Sequence, residues 1–342
     1  MAKAPNSVVG LDLGRSSLKA VLLQRSGADR LSVTHFATQP TPTDLHSPEQ
    51  LTSDLRTLLK SLGGSAKACA VAVSSPESIV RIIDQPDTPT ELLREALRLN
   101  GMMLLNQDCR QFVLDCDRIP VSAPETLPNG KQRYLVGGLP RTQVETVQKA
   151  VQSTFGQFST FQIGPVSLFN AFESANPEVF SGSGFLLVDI GASTSTIILG
   201  ARRELVLVRT VDIGGNSILD ALEALSGEPR ESVLIALQQE DEMMIENGRV
   251  AMLNLSREIA NSIGFFEARR EERVGKIHVS GAAAKSGALL RILKDEVHIP
   301  CEAWNPLAGC DVSVPANQRE TLADAALDLH VAYGAAAELI KS

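Results

Sequence analysis

Two stretches far apart in the chain combine a carboxylate, a glycine and hydroxyl groups in the same order. Asp12 and Gly14 lie in V-V-G-L-D-L-G-R-S-S-L-K, and Asp189 and Gly191 lie in F-L-L-V-D-I-G-A-S-T-S-T. In each, an apolar run of buried-strand type ends in Asp, one apolar residue and Gly, followed by small hydroxylated residues. A strand ending this way presents a carboxylate beside exposed backbone N–H groups and hydroxyls, a set suited to a Mg-phosphate group. Either stretch alone reads as an ordinary turn. The repetition in matching context carries the chemical reading, and two facing copies would clamp one polyphosphate from both sides.

The remaining residue types offer less chemistry. Cys69, Cys109, Cys116, Cys301 and Cys310 form no C-x-x-C pair, and no histidine stands at metal-ligand spacing from a Cys or an acid. Reduced thiols are the simpler expectation, with no transition-metal site. Ser74-Ser75 lack the G-x-S-x-G frame of a nucleophile elbow. Trp304, in W-N-P-L, reads as a packing residue, and the run E-A-R-R-E-E-R as an exposed helix face with i,i+4 ion pairs. A formal net charge of -8 argues against nucleic-acid binding through phosphate neutralisation. The beginning M-A-K-A-P-N-S has no apolar signal region, and no apolar run reaches the roughly 18 residues of a membrane span. A cytoplasmic chain is expected, reaching the membrane only through a partner or a surface helix.

The elements that must position these groups follow from periodicity and turn residues. Val8 to Leu13, Ser17 to Gln24 and Leu31 to Thr38 alternate with turn signals at Gly14 and Ser26-Gly27-Ala28-Asp29, a β-meander. A helix starting at Ser47-Pro48-Glu49 carries a Leu51, Leu55, Leu58, Leu59, Leu62 stripe and leads to a buried strand, Ala68 to Val73. The grammar then changes. Strands are expected at Ser78 to Ile83, Cys109 to Asp117 and Gln132 to Leu139, with helices at Thr90 to Gly101 and Arg141 to Phe155. A proline-rich loop, I-P-V-S-A-P-E-T-L-P-N-G, separates the second and third of these strands. After a helix from Val166 to Ser174, the meander recurs as Phe185 to Ile190, Ser195 to Ala201 and Glu204 to Asp212. Gly214-Gly215-Asn216-Ser217 then opens a helical stretch, followed by a helix from Ala251 to Arg273, a strand Lys276 to Val279, a turn at Ser280-Gly281 and a helix Leu289 to Asp295.

In combination and order, the two Asp-x-Gly hairpins, the Gly214-Gly215 turn and the Ser280-Gly281 turn resemble the actin, Hsp70 and FtsA ATPase superfamily. V-R-T-V-D-I-G-G-N-S-I, K-I-H-V-S-G-A-A-A-K-S-G and I-P-C-E-A-W-N-P-L narrow the likeness to PilM-type proteins of type IV pilus assembly. The resemblance covers most of the chain. It implies an α/β, duplicated actin-like (ribonuclease H-like) fold of two lobes. The first would span 1–76, continued at about 163–180 and by a C-terminal helix at 320–342. A small α+β subdomain would be inserted at 77–162, and the second lobe would span 181–319, with a mostly helical part at about 216–275.

The same resemblance implies ATP or ADP with Mg as ligands. Asp12 and Asp189 would hold Mg, directly or through water. Gly14, Arg15, Ser16 and Ser17 would form the first phosphate loop with Lys19 nearby, and Gly191, Ala192, Ser193 and Thr194 the second. Gly214, Gly215 and Asn216 would approach ribose and phosphates, Gly281, Ala282 and Ala283 would face the adenosine, and Glu267 and Arg270 would neighbour the base or ribose. No catalytic residue is assigned beyond the two aspartates. Three positions depart from the family's pattern. Arg15 stands where a small residue is usual, Ala282 where a second glycine is usual, and Gly164 where a Glu precedes the Pro in F-Q-I-G-P-V-S-L-F-N-A-F. In related ATPases an acidic or amide side chain in this region orients the attacking water. Nucleotide binding with weak or absent hydrolysis is the expectation.

By resemblance the partner would be the cytoplasmic N-terminal peptide of a PilN-like inner-membrane protein, bound between the first lobe and the inserted subdomain, and the chain would be peripheral to that membrane. Self-association, and ATP against GTP, stay open at this level. The alternatives are an FtsA-like filament-forming division ATPase, a small-molecule kinase of the same superfamily, and a degenerate platform without nucleotide. A-Y-G-A-A-A-E-L-I-K-S lacks the basic amphipathic character of an FtsA-like anchor, no general base for a kinase stands out, and the presence of Asp12, Lys19 and Asp189 counts against the degenerate platform.

Overall fold

Strands that are buried along their whole length set the framework. The computed structural model describes residues 5–27, 30–40, 47–121, 127, 130–155, 160–270 and 272–341. Residues 1–4, the turn positions Ala28 and Asp29 and most of the proline-rich loop lie outside the described residues. In chain order the first elements are β1 (Ser7–Leu13), β2 (Ser17–Arg25), β3 (Leu31–Pro40), α1 (Pro48–Leu62), β4 (Ala68–Val73), β5 (Ile79–Pro86) and α2 (Thr90–Leu105). Next come β6 (Phe112–Arg118), β7 (Lys131–Pro140), α3 (Arg141–Phe155), β8 (Thr160–Ile163), α4 (Gly164–Ala175) and α5 (Pro177–Ser181). Then follow β9 (Phe185–Ile190), β10 (Ser195–Ala201), β11 (Glu204–Val211), α6 (Gly215–Ser226), α7 (Arg230–Gln238) and α8 (Glu242–Arg270). The chain closes with β12 (Ile277–Ser280), a short 3-10 turn at Ala282–Lys285, α9 (Gly287–Val297), β13 (Cys301–Ala303), β14 (Asp311–Val312), α10 (Ala316–Ala326) and α11 (His330–Lys341).

The chain divides into two units. The first holds residues 1–175, 307–322 and 331–342, the second residues 176–306 and 323–330. In the first unit a six-stranded sheet runs β14-β3-β2-β1-β4-β8. β1 pairs antiparallel with β2 and parallel with β4, so the chain must cross over between β1 and β4, and α1 is part of that crossover. The Ser47 hydroxyl accepts a hydrogen bond from the Gln50 N–H and caps α1, whose Leu51, Leu55, Leu58 and Leu62 pack on Leu11, Leu13, Leu22 and Val71. Each fully buried leucine contributes roughly 1.5–3 kcal/mol of transfer free energy. In α11, Ala332, Ala335 and Ala336 are fully buried.

A second sheet in this unit, β5-β7-β6, packs one face on α2 through Ile79, Leu93, Leu97, Cys116, Tyr134 and Val136. α3 does not share that small core. Its Val147, Ala150 and Val151 join the core of the six-stranded sheet beside α1. The segment expected as a subdomain at 77–162 thus lies within the first unit and shares its main core, because α3 has an apolar face to bury and α1 lies beside it.

In the second unit the sheet order is β11-β10-β9-β12-β13. β9 pairs antiparallel with β10 and parallel with β12, as β1 does with β2 and β4. The two sheets therefore repeat one topology, with β14 as an extra edge on the first. α6, α7, α8 and α9 cover the second sheet through Ile218, Leu222, Val233, Met252, Leu255, Ile259 and Ile292.

Several boundaries differ from the sequence-based expectation. α8 begins at Glu242, well before Ala251, because the Asp241 carboxylate caps the Met244 N–H and Met244, Ile245 and Gly248 continue the buried face. α2 runs past Gly101 to Leu105, with a break at Asn100. β6 starts at Phe112 rather than Cys109, since the Phe112 N–H bonds back to the Cys109 carbonyl in a turn. The return to the first unit comes at 307 rather than about 320, where β14 pairs in parallel with β3.

Candidate functional site

The first Asp-x-Gly loop is built by the β1–β2 hairpin. Asp12 pairs across the ladder with Lys19, which places both side chains on one face. The Lys19 ammonium donates to Asp12 Oδ2 at 2.9 Å. Asp12 is 4% exposed, and its Oδ1 accepts no hydrogen bond from the described residues. A buried carboxylate oxygen without a donor is costly unless a cation or donor reaches it, which fits a carboxylate awaiting Mg or a Mg-bound water. Gly14 and Ser17 are half-buried in the turn, and Arg15 and Ser16 are exposed.

The second loop belongs to β9–β10 and is more tightly knit. The Gly191 N–H donates to the Thr194 carbonyl at 3.0 Å, closing the turn that holds Ala192 and Ser193. The start of α6 is bonded onto it, with Gly215 N–H to the Gly191 carbonyl at 2.8 Å and Asn216 N–H to the Ala192 carbonyl at 2.9 Å. The Ser217 hydroxyl accepts the Gly214 N–H at 3.1 Å, and the Ser195 hydroxyl donates to the Ile213 carbonyl at 2.6 Å. The N-terminus of a helix thereby stands beside the hydroxylated turn, an arrangement that favours anions.

The glycine turn after β12 completes this cluster. β12 lies next to β9 with Ser280 opposite Asp189, and the fully buried Ser280 hydroxyl donates to Asp189 Oδ1 at 2.7 Å. From the sequence Ser280 reads only as a turn residue, and its parallel pairing with Asp189 is set by the sheet. Gly281 has φ 83°, a left-handed conformation that an L side chain adopts only with strain, and a Cβ there would run into the Ile190 carbonyl. Ala282 is exposed and Ala283 buried in the 3-10 turn that follows. Within the second unit Asp189, Gly191 to Thr194, Gly214 to Asn216 and Gly281 are therefore joined through adjacent strands and shared backbone hydrogen bonds.

Glu267 and Arg270, expected as neighbours of the base or ribose, both make contacts within the second unit. Arg270 forms an ion pair with Glu204, which is 1% exposed at the start of β11. Glu267 accepts the Val274 N–H at 3.1 Å. Both tie the end of α8 to its surroundings, a role that the spacing of the charged run did not reveal.

At Gly164, the start of α4, a Cβ would collide with the Ser74 hydroxyl. An acidic side chain cannot be placed there while Ser74 keeps its position.

The first unit also holds a pocket of about 380 Å³ between the open face of β6–β7 and β8 with the start of α4. Val113, Leu135, Leu139, Phe161, Ile163 and Val166 give it an apolar lining, and Asp115 and Asp117 are the charged residues among those that line it. β6 is an edge strand of its sheet and β8 an edge strand of the other. Burial pushes the Cys116 thiol up, with Asp115 and Asp117 adding to the shift and Arg94 partly offsetting it.

A meander and a parallel crossover repeated in two sheets, with Asp-x-Gly at the end of the corresponding strand, define an actin-like fold. Within it, the chain belongs to the family described as type IV pilus assembly protein PilM, which matches residues 10–339. Among solved structures it is similar to a PilM-PilN type IV pilus biogenesis complex, at 20% identity and a TM-score of 0.80 over 98% of this chain and 99% of that one. It is also similar to the ethanolamine utilization protein EutJ of Carboxydothermus hydrogenoformans, with 14% identity, TM-score 0.55 and coverage of 98% and 90%. A Bacteroides thetaiotaomicron protein with an actin-like ATPase fold and unknown function matches at 10% identity and TM-score 0.50, with coverage of 97% and 96%. Family membership favours the pilus-assembly reading over the division ATPase and the kinase. Among the described residues no helix is long and apolar enough to cross a membrane.

Proposed function

We propose that this chain is an actin-like scaffold of a type IV pilus machine that captures the cytoplasmic N-terminal peptide of a PilN-like inner-membrane protein. The observation that carries this reading is the apolar pocket flanked by the edge strands β6 and β8. An extended peptide laid along an edge strand gains backbone hydrogen bonds, while pockets select alternate side chains. Capture of such a peptide would hold the chain at the inner membrane from the cytoplasmic side.

The proposal extends to ATP or ADP with Mg as ligands: in the first unit Asp12, Gly14 to Ser17 and Lys19 are the groups suited to a Mg-phosphate, and in the second unit, taken by itself, Asp189, Gly191 to Thr194, Gly214 to Asn216 and Gly281 to Ala283 are. The orphaned Asp12 Oδ1 supports a cation at the first loop, and the α6 N-terminus supports phosphate at the second. Hydrolysis is weak or absent, because the start of α4 carries Gly164 and the space for an acidic side chain is taken by Ser74. Loss of a water-orienting group slows phosphoryl transfer without removing binding.

Calorimetric titration of the PilN-like N-terminal peptide tests the capture. Micromolar binding that Val113→Arg abolishes is expected, since Val113 lines the pocket and is exposed. Absence of peptide binding to the native chain refutes the reading. A parallel titration of Mg-ATP, with Asp12→Asn as the control, tests the nucleotide site separately.

A further inference from the structure

The rim of the apolar groove carries charge in a regular pattern. β6 pairs with β7 on one side, and among the described residues its other edge joins no strand. Side chains alternate along a strand, so Val113, Asp115 and Asp117 share one face, opposite Leu139, Gly137 and Leu135 of β7. All six line the groove, which is thus apolar at the Val113 end and acidic at the other. The Ile119 N–H bonds to the Arg133 carbonyl across the ladder, which puts the N–H groups of residues 113, 115 and 117 towards β7 and those of Cys116 and Arg118 on the open edge. Both open N–H groups are held by the carboxylate just before them. Asp115 Oδ1 accepts the Cys116 N–H and Asp117 Oδ1 the Arg118 N–H, each at 2.8 Å. Arg94 Nε stands 3.3 Å from Asp115 Oδ1, whereas Asp117 has no ion pair among the described residues and the Arg118 guanidinium is paired with Asp87.

We infer that the groove selects a peptide strand with basic side chains at two alternate positions, which joins the open edge of β6 and draws Asp115 and Asp117 off it. The inference rests on the peptide-capture reading above and gives that peptide its chemistry. Peptide carbonyls replace the two carboxylate oxygens on the Cys116 and Arg118 N–H groups, so neither donor is left bare. The released carboxylates then face the residues directly across the new ladder, at about 5 Å between Cβ atoms. Lys or Arg at those two positions neutralises them, and an apolar residue two positions beyond falls opposite Val113. A strand lacking the cations gains the same backbone bonds but leaves two carboxylates without countercharge against an apolar wall. In the free protein the same two side chains close the edge to unselected strands.

Calorimetric titration of the PilN-like N-terminal peptide into the full chain reads this selection apart from capture itself. Asn retains an oxygen for the next N–H and loses the charge, so the double variant Asp115→Asn with Asp117→Asn should keep the native melting temperature and bind the peptide roughly tenfold more weakly. Asp117→Asn should account for more of that loss than Asp115→Asn, because Arg94 already offsets part of the Asp115 charge. Native affinity should fall between about 50 and about 500 mM NaCl, and that of the double variant much less. Replacing each Lys and Arg of the peptide in turn by Gln should single out two residues at a spacing of two, and amide hydrogen exchange should show Cys116 and Arg118 gaining protection when the peptide binds. Equal affinity for the native chain and the double variant, indifference to the peptide's own charges, or unmoved protection at Cys116 and Arg118 would each overturn the inference while capture stands. A peptide that does not bind the native chain overturns both.

Discussion

Replacing Arg270 by alanine separates a structural role from a ligand-binding one. Arg270 is the last residue of α8 and pairs with Glu204 at the start of β11, so the pair ties the end of the longest helix to an edge strand of the second sheet. Glu204 is 1% exposed, and its carboxylate was removed from water when this unit folded. Taking away one partner of a buried ion pair costs about 3–5 kcal/mol, because the remaining charge keeps its desolvation penalty and loses the attraction that offset it. For a unit of this size each kcal/mol lowers the melting temperature by about 2–4 °C, so the transition of the second unit should fall by roughly 6–20 °C. Differential scanning calorimetry on nucleotide-free protein measures this. The double variant Arg270→Met with Glu204→Leu should recover much of the loss, since apolar residues of similar volume carry no buried charge. The reasoning is refuted if Arg270→Ala melts within about 2 °C of the native chain and instead weakens Mg-ATP binding, which would make Arg270 a ligand contact.

Three further outcomes are expected. Gly281→Ala should destabilise the second unit by at least about 1–2 kcal/mol in chemical denaturation and loosen the turn beside Asp189, whereas Gly275→Ala, with open space around its Cβ position, should be near neutral. His278 is buried, and that burial holds its pKa down at about 4, with Glu302 and Lys276 as opposing neighbours. The unfolded chain takes up this proton near pH 6.5 and the folded chain only near 4. The contribution is therefore full above about pH 6.5, falls as the pH drops towards 4 and is flat below, on the order of 3 kcal/mol in all. His278→Gln should remove this part of the slope in melting temperature between pH 6.5 and 4. Gly164→Glu alone should destabilise the first unit through its collision with Ser74, while Gly164→Glu combined with Ser74→Gly should fold and raise phosphate release from Mg-ATP above the native rate. An unchanged rate in a folded double variant would remove Gly164 as the cause of weak turnover.

Local signals were strong enough in the sequence to set the repeat and the family. The Asp-x-Gly hairpins, the alternating strands and the leucine stripe of α1 are short-range patterns, and a one-residue error in any of them would turn an apolar set to solvent. Those elements were legible because turn chemistry and burial act within a few residues. The partner of each group was not. That Lys19 pairs with Asp12 follows from a hairpin register, but that Ser280 holds Asp189, that Arg270 serves Glu204 and that Ser74 fills the space beside Gly164 depend on segments tens of residues apart. Two-residue β14 and the early return of the chain at 307 have no readable period, and the packing of α3 in the main core depends on α1, a segment far from it in the chain. Sequence alone determined the order of the elements and the carboxylates that a Mg-nucleotide would need. Tertiary structure decided which donors hold those carboxylates, because hydrogen bonds and ion pairs depend on distances that only the assembled sheets set.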